Sequence, residues 1–404
     1  MDSIIKTGET LFLLFQVVLS LFFLLPFFLL VQHSFRKKRE LYFTKFPIKH
    51  EKDFDFAAIV TAHQDVRFIL PLIDSFVKQT YKNFIVYIIA DDCDISSIQV
   101  QNERVKIIKP SEALNAKIKS IEYAVDRFER SHDVIVVFDA DNLVHPDYLK
   151  NLNEYFRRGF RAVQTHMLSK NTDSVFAKLD SMGHVYNNFV ERKARMELGL
   201  SSSILGLGVA IESALYMQVI YKDNLGGFDK KLQSVIVQSV SQLAFAEEAL
   251  VFDEKVEDGN TFEKQRTRWI YTYFKYFQDN LAIFLKGIRR LNFNLLFFGF
   301  SVLRPPLFIT LGSAITFMII DLFIFPAIAQ LWMVILVLFI ITFVIIVLTQ
   351  SRQKGLGVAL FYLPVLVLKQ IRSLLRIKQA KKSFLKTEHS KIVYIDEILK
   401  NERV

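Results

Sequence analysis

The chain has 404 residues, 39 of them phenylalanine, with 51% apolar residues and a formal net charge of +10. The apolar share exceeds the roughly 45–50% of a soluble globular protein, so part of the chain meets lipid. The excess Lys and Arg lie beside long apolar runs, which fits anionic lipid headgroups and argues against nucleic acid as a partner. A single cysteine, Cys93, excludes an internal disulfide framework and a cysteine-based zinc site, and suits a small buried residue in a reducing compartment.

Residues 11–31 carry no charge and are interrupted only by Gln16, Ser20 and Pro26, enough at about 1.5 Å per residue to cross a ~30 Å hydrocarbon core. Arg36, Lys37, Lys38 and Arg39 follow directly, with no small-x-small cleavage site, which favours a retained span over a signal peptide. Those charges belong on the cytoplasmic side, so the N-terminus is expected outside. From about Asp53 short apolar runs alternate with helical patterns, which predicts a βαβ layout and a mostly parallel sheet. Strands are expected at 56–61, 84–90, 104–108, 134–138 and 161–165, and helices at 66–78 and 113–128.

A long helix is expected at 174–198, followed by Ser201, Ser202 and Ser203 and by Gly206-x-Gly208, a loop whose backbone must come close to something. The next helix, 262–288, is rich in aromatic residues. Residues 295–303 are too short to span and predict an interfacial helix, while 305–325 and 330–349 predict two spans joined by an outer hairpin at 326–329. Nine Lys or Arg between Arg352 and Lys386 hold that region in the cytoplasm, where the short run 356–368 reads as interfacial or re-entrant. The expected division is an N-terminal transmembrane helix at 1–35, a cytoplasmic domain at 36–290, an interfacial helix at 291–304, a transmembrane hairpin at 305–350 and a basic interfacial helix and tail at 351–404. Three spans make this an integral protein of an inner or plasma membrane.

The chemistry-bearing residues gather at expected strand ends and on one helix. Strand 134–138 ends in Asp139-Ala140-Asp141, two carboxylates that can hold a divalent cation against phosphates, or simply solvate a turn. The first strand ends in Thr61-Ala62-His63-Gln64 and the second in Asp91-Asp92, both at the edge where an open α/β sheet binds a nucleotide. Gln265, Arg268 and Trp269, spaced i, i+3, i+4, share a helix face and offer an amide, a fixed cation for a diphosphate and a flat ring for a sugar. His145 and His166 are assigned to structure or solvent.

In this order the motifs resemble those of the membrane-bound family 2 glycosyltransferases, the group of the cellulose, hyaluronan and chitin synthases. The resemblance covers about 56–269, and Ala113-Leu114-Asn115 is similar to a further family segment. It implies an α/β fold: a cytoplasmic GT-A nucleotide-sugar transferase domain with a mixed, mostly parallel sheet, flanked by one N-terminal and two C-terminal transmembrane helices plus interfacial helices. It further implies that Thr61, Ala62, Asp91, Asp92 and Asp139 bind the nucleotide sugar, that Asp139 and Asp141 hold Mg²⁺ or Mn²⁺, and that Gln265, Arg268 and Trp269 meet acceptor and diphosphate.

The chain departs from the family at the general base, since no Glu-Asp lies between Gly208 and Leu243. Either Gly226-Gly227-Phe228-Asp229 is the glycine turn that precedes a lost base helix, or Asp229 is itself the base with Phe228 in place of the usual Glu. Asp229 stands 15 residues before Ala244 and 36 before Gln265, close to the family's spacing, which favours the second alignment. As an ordinary residue Asp229 would cap the helix that follows it.

The resemblance then implies an inverting transfer from a UDP-sugar to an acceptor hydroxyl at the membrane, making a β-linked polysaccharide. The acceptor would be a glycan or a lipid. With only three spans, an export path would need the interfacial helices, an oligomer or an export subunit. Transfer to a polyprenyl phosphate is an alternative, and a non-catalytic scaffold of a secretion complex is another.

Overall fold

Phe56, Ala58 and Val60 pack into one buried apolar layer while Ala57 and Ile59 pack into a second, because the strand they form is covered on both faces. The computed structural model describes residues 2–36, 42–96, 98–221, 226–353, 355–378 and 390–401. Residues 37–39 of the basic run after the first apolar stretch, and 379–389 of the basic tail, lie outside the described residues.

The chain begins with helix α1 (Asp2–Phe35) and continues through β1 (Phe56–His63), α2 (Ile69–Val77), β2 (Phe84–Asp91), β3 (Val105–Ile108), α3 (Lys117–Val125) and β4 (Val134–Asp139). β5 (Leu143–Val144), α4 (Tyr148–Arg157), β6 (Ala162–Ser169) and α5 (Val175–Asn188) follow. After α5 come one π-helical turn (Phe189–Lys193), α6 (Ala194–Glu197), β7 (Val209–Glu212), α7 (Ser213–Tyr216), α8 (Phe228–Ile236) and β8 (Ala244–Asp253). The remaining helices are α9 (Gly259–Lys275), α10 (Phe277–Arg289), α11 (Phe293–Val302), α12 (Leu307–Ile324), α13 (Pro326–Gln350), a 3₁₀ segment (Leu356–Tyr362) with α14 (Leu363–Leu375), and a last helix, Ile395–Asn401.

One eight-stranded sheet runs in the order β3-β2-β1-β4-β7-β6-β8-β5. β1 pairs parallel with both β2 and β4, and β6 with β8, whereas β7 and β5 run antiparallel to their neighbours. The sheet is therefore mixed and mostly parallel, as expected. Each of the five expected strands is present. β7 and β8 were not expected: β7 is only four residues long, and in β8 the ladder shifts register around Glu247 and Glu248, which breaks the apolar run.

Two expected long helices are interrupted. The one at 174–198 passes through the π turn, and the one at 262–288 divides at Tyr276, whose ring occupies the space a side chain on Gly227 would need. Outside the sheet, α1 packs on α13 through Phe23, Trp332 and Phe339, and the same apolar cluster takes in Tyr186, Phe189 and Val190, so the α5–α6 unit docks the sheet and its covering helices on the apolar helices. Within that bundle Trp332 donates to Gln16 at 2.5 Å and Gln16 to Asp321 at 3.4 Å.

The hairpin between α12 and α13 is tighter than the four residues expected, because Pro326 starts α13 as its first residue and only Phe325 intervenes. Among the described residues four helices are long and apolar enough to cross a membrane: Lys6–Phe35, Leu307–Ile324, Pro326–Gln350 and Leu356–Leu375. The fourth enlarges the expected interfacial run at 356–368. Its α14 portion lies along α9, where Lys369 and Arg376 pair with the buried Glu263.

Candidate active site

Parallel pairing brings the tips of β1, β2 and β4 to one edge, with Thr61 beside Asp139, Ala62 beside Ala90 and His63 beside Asp91. Asp91 is 1% exposed, and its carboxylate accepts Leu114 N–H at 2.7 Å, Asn115 N–H at 2.9 Å and the His63 ring at 3.0 Å. The Ala113-Leu114-Asn115 segment is thus held as a loop ahead of α3, with Asn115 at φ +53°. Asp92, at φ +52°, turns its carboxylate outward and receives the Gln64 amide at 2.8 Å. Of the expected acidic pair, Asp91 shapes the loop and Asp92 faces the opening.

The Asp-x-Asp tip divides in the same way. Asp139 is part-exposed and pairs with Lys117 Nζ at 2.5 Å, and that ammonium also donates to Gly206 O at 3.0 Å. Asp141 is buried, and Lys170 anchors its carbonyl at 2.8 Å. Next to it, Asn142 donates to Asp253 at 3.1 Å, whose other oxygen takes Lys255 at 2.7 Å. Among the described residues no group of three His, Cys, Asp or Glu side chains gathers as a metal site. Asp139, held by Lys117, and the buried Asp141 carry oxygen donors of the kind Mg²⁺ or Mn²⁺ takes.

Asp229 lies in the first turn of α8, and the cap is not Asp229 but Gly227, at φ +74°. Its carboxylate is thus not spent on the cap: it pairs with Lys230 at 3.5 Å, and the Asp229 Cβ lies 3.9 Å from where a side chain on Gly206 would sit. Phe228 packs its ring against Lys117 Nζ at 4.9 Å. Arg268 closes the group. Burial pushes its guanidinium below the ordinary value, and the charges of Asp139 and Asp229 act in the opposite sense, so both carboxylates lie within its electrostatic reach.

The rest of the Gln-x-x-Arg-Trp face does something different. Trp269 is 37% exposed and stands edge-on to His184, with ring centroids 6.0 Å apart. Arg266, outside the motif, lies over the Trp269 ring at 4.2 Å and pairs with the buried Asp180. Gln265 Oε1 is buried without a hydrogen-bond partner among the described residues. Beside His184 a cavity of about 190 Å³ opens between β6, α5 and the end of α13, lined by His166, Lys193, Glu247 and Gln350 among others. Burial, with Arg352 adding to it, pushes His166 down to about 4.

Lys117, Arg266 and the Asp253–Lys255 pair were not read from the sequence. Lys117 had a local signal, two residues past Asn115 in the loop that Asp91 holds. The expected close approach at Gly208 is present: at φ +62°, a Cβ there would lie 2.4 Å from Thr165 Oγ1.

The model of the family described as glycosyltransferase like family 2 matches residues 54–272. Among solved structures, the mannosyltransferase PcManGT from Pyrobaculum calidifontis, in complex with GDP-Man and Mn²⁺, superposes with a TM-score of 0.56 over 91% of this chain and 99% of its own, at 14% identity. TarS residues 1–349 from S. aureus, in complex with UDP-GlcNAc, align at 14% identity over 54% of this chain and 66% of their own, with a TM-score of 0.37. No curated protein matches the chain.

Proposed function

This chain belongs to glycosyltransferase-like family 2, and on that premise we propose that it transfers a sugar from a nucleotide sugar to an acceptor hydroxyl at a membrane, with inversion at the anomeric carbon. The observation that supports this reading is that Asp139, at the tip of β4, and Asp229, beside Gly206, both lie within electrostatic reach of Arg268. In the proposed step Asp229 takes the proton of the acceptor hydroxyl. The oxygen so activated bonds to the anomeric carbon as the bond from that carbon to the nucleoside diphosphate breaks. Arg268 stabilises the charge that develops on the departing diphosphate, while Thr61, Ala62, Asp91 and Asp92 shape the nucleotide pocket and Trp269 meets a sugar face. A divalent cation held by Asp139 and Asp141 would bind that diphosphate and offset its charge.

We assign this chemistry to a domain at 36–290, with the apolar helices before and after it in the membrane, the domain on the cytoplasmic side and the N-terminus outside. The donor in this reading is a UDP-sugar and the product a β-linked polysaccharide. The GDP-Man held by the Pyrobaculum structure is reason to test guanosine donors as well. Full-length protein in nanodiscs, given UDP-glucose, UDP-N-acetylglucosamine or GDP-mannose with Mg²⁺ or Mn²⁺, should release nucleoside diphosphate, and Asp229→Asn should slow release about 10²–10⁴-fold. Release undiminished in Asp229→Asn would remove Asp229 as the base. Donor binding without release, for all three donors, would support the scaffold reading instead.

A further inference from the structure

Residues 390–401 follow the last apolar helix in sequence, yet they lie against the part of the sheet that carries the Asp-x-Asp tip. β5, which begins two residues past Asp141, is a two-residue edge strand, and native chains cover such edges. Here the last helix is the cover: Ile395 and Ile398, 0% and 7% exposed, pack with Leu143, Leu168, Leu250 and Phe252. Just ahead of that helix the buried Glu254 accepts the backbone N–H groups of Ser390 at 2.7 Å and Lys391 at 3.1 Å. A buried carboxylate that takes two backbone donors from another segment pins that segment, because its charge is left unmet when they leave. Lys391 Nζ pairs in turn with Asp173 at 2.9 Å and Glu257 at 3.3 Å, and Lys78, at the end of α2, with Asp396 at 2.8 Å.

One ammonium joins this segment to the acidic tip. Lys170 Nζ donates to Asp141 O at 2.8 Å and to Lys391 O at 3.3 Å, while the Lys170 backbone N–H donates to Asp253 O at 2.8 Å. Lys170 is thus fixed by the end of β8 and spends its side chain on two carbonyls that are distant in sequence. Two more contacts act on the same turn: Asn142 donates to Asp253 at 3.1 Å, and Leu143 lies in the apolar cluster of Ile395. The turn from Asp139 to Leu143 is therefore held by the end of β8 and by residues 390–401 together.

We propose that residues 390–401 are a strap that keeps the Asp139–Asp141 turn in position to hold a divalent cation, with Lys170 as the positioning residue between strap and turn. The proposal rests on the transferase reading, which assigns Asp139 and Asp141 to the cation, and adds what regulates that site: cation affinity follows whether the strap is docked. Lys170 suits the post because an ammonium on a long stem can donate to two carbonyls at once.

The test is titration of the full chain in nanodiscs with Mn²⁺, alone and with UDP, followed by electron paramagnetic resonance, with hydrogen exchange at 139–144 and 390–401 measured on the same samples. Ile395→Asp should raise exchange in both segments and weaken Mn²⁺ at least fivefold, with the main melting transition kept. Lys170→Met should weaken Mn²⁺ by a similar factor while 390–401 stays protected by its apolar contacts, and Lys170→Arg, which keeps the donors, should recover most of the loss. Mn²⁺ affinity unchanged by Ile395→Asp, although exchange at 390–401 rises, overturns the proposal. So does an equal loss in Lys170→Met and Lys170→Arg, or a loss with no rise in exchange at 139–144 in any variant. A wild type that binds no Mn²⁺ but releases nucleoside diphosphate from a sugar donor would refute the strap's role and leave the transferase standing. The expected Mn²⁺ losses in a protein that releases nothing from any donor would do the reverse.

Discussion

Asp91 illustrates how one carboxylate can set a pocket without facing it. Two backbone N–H groups and an imidazole converge on it, so Asp91→Asn turns an amide N–H₂ toward a donor. We expect a loss of about 1–3 kcal/mol in stability, visible as a lower melting temperature, together with a raised KM for the nucleotide sugar. Arg268 belongs to the opposite kind. Arg268→Ala should cut kcat/KM about 10²–10³-fold, a barrier increase of about 3–4 kcal/mol, and Arg268→Lys should recover little of it, since an ammonium lacks the planar fork. His166 supplies a pH signature. Its folded pKa, about 4, lies below the unfolded value near 6.5, so the unfolded chain binds the extra proton first. Its contribution to stability is complete above about pH 6.5 and is lost as pH falls toward 4, and His166→Gln should flatten the melting temperature across that window.

Elements with a strong period, or a run buried on both faces, were legible in the sequence. β1, β2 and β4 are strongly apolar strands, the last two ending in Asp91 and Asp139, and the Asp-x-Asp pair could be located from β4, whereas Asp229 was placed by its spacing to Ala244 and Gln265. β8 was not legible, because Glu247 and Glu248 interrupt it where its pairing with β6 shifts. Nor was the break between α9 and α10, which depends on Tyr276 meeting a distant glycine. Arg195 and Arg304 lie 109 positions apart and meet on Glu191 only through the fold. The α10–α11 pair has a sharp test of its own: a Cβ on Gly299 would lie 2.5 Å from the Phe284 backbone. Gly299→Ala should therefore part these helices at a cost of about 1–3 kcal/mol, read as a lower melting temperature with donor binding kept.

At the scale of the whole molecule, polar contacts join the catalytic block to its apolar helices, among them Glu197 with His33 and Arg36, Lys193 with Gln350 and Gln353 with the Ser169 carbonyl. Glu263, 4% exposed on the helix that carries Arg268, receives Lys369 and Arg376 from α14, and Ser373 donates to its carbonyl at 3.1 Å. Glu263→Gln should release α14 and raise hydrogen exchange across Leu363–Leu375 with the sheet unaffected. Within the apolar helices themselves, the chain Trp332 to Gln16 to Asp321 spans 305 positions of sequence between Gln16 and Asp321. Because synthesis runs from the N-terminus, α1 must wait through the making of the entire catalytic block before the acid that joins it exists. An acid in hydrocarbon is poorly tolerated without that partner. The hairpin is then made after its partner helix and settles against it. Gln16→Leu should leave the α12–α13 hairpin poorly inserted, by cysteine-labelling topology at 326–329, and Asp321→Leu added to it should restore insertion.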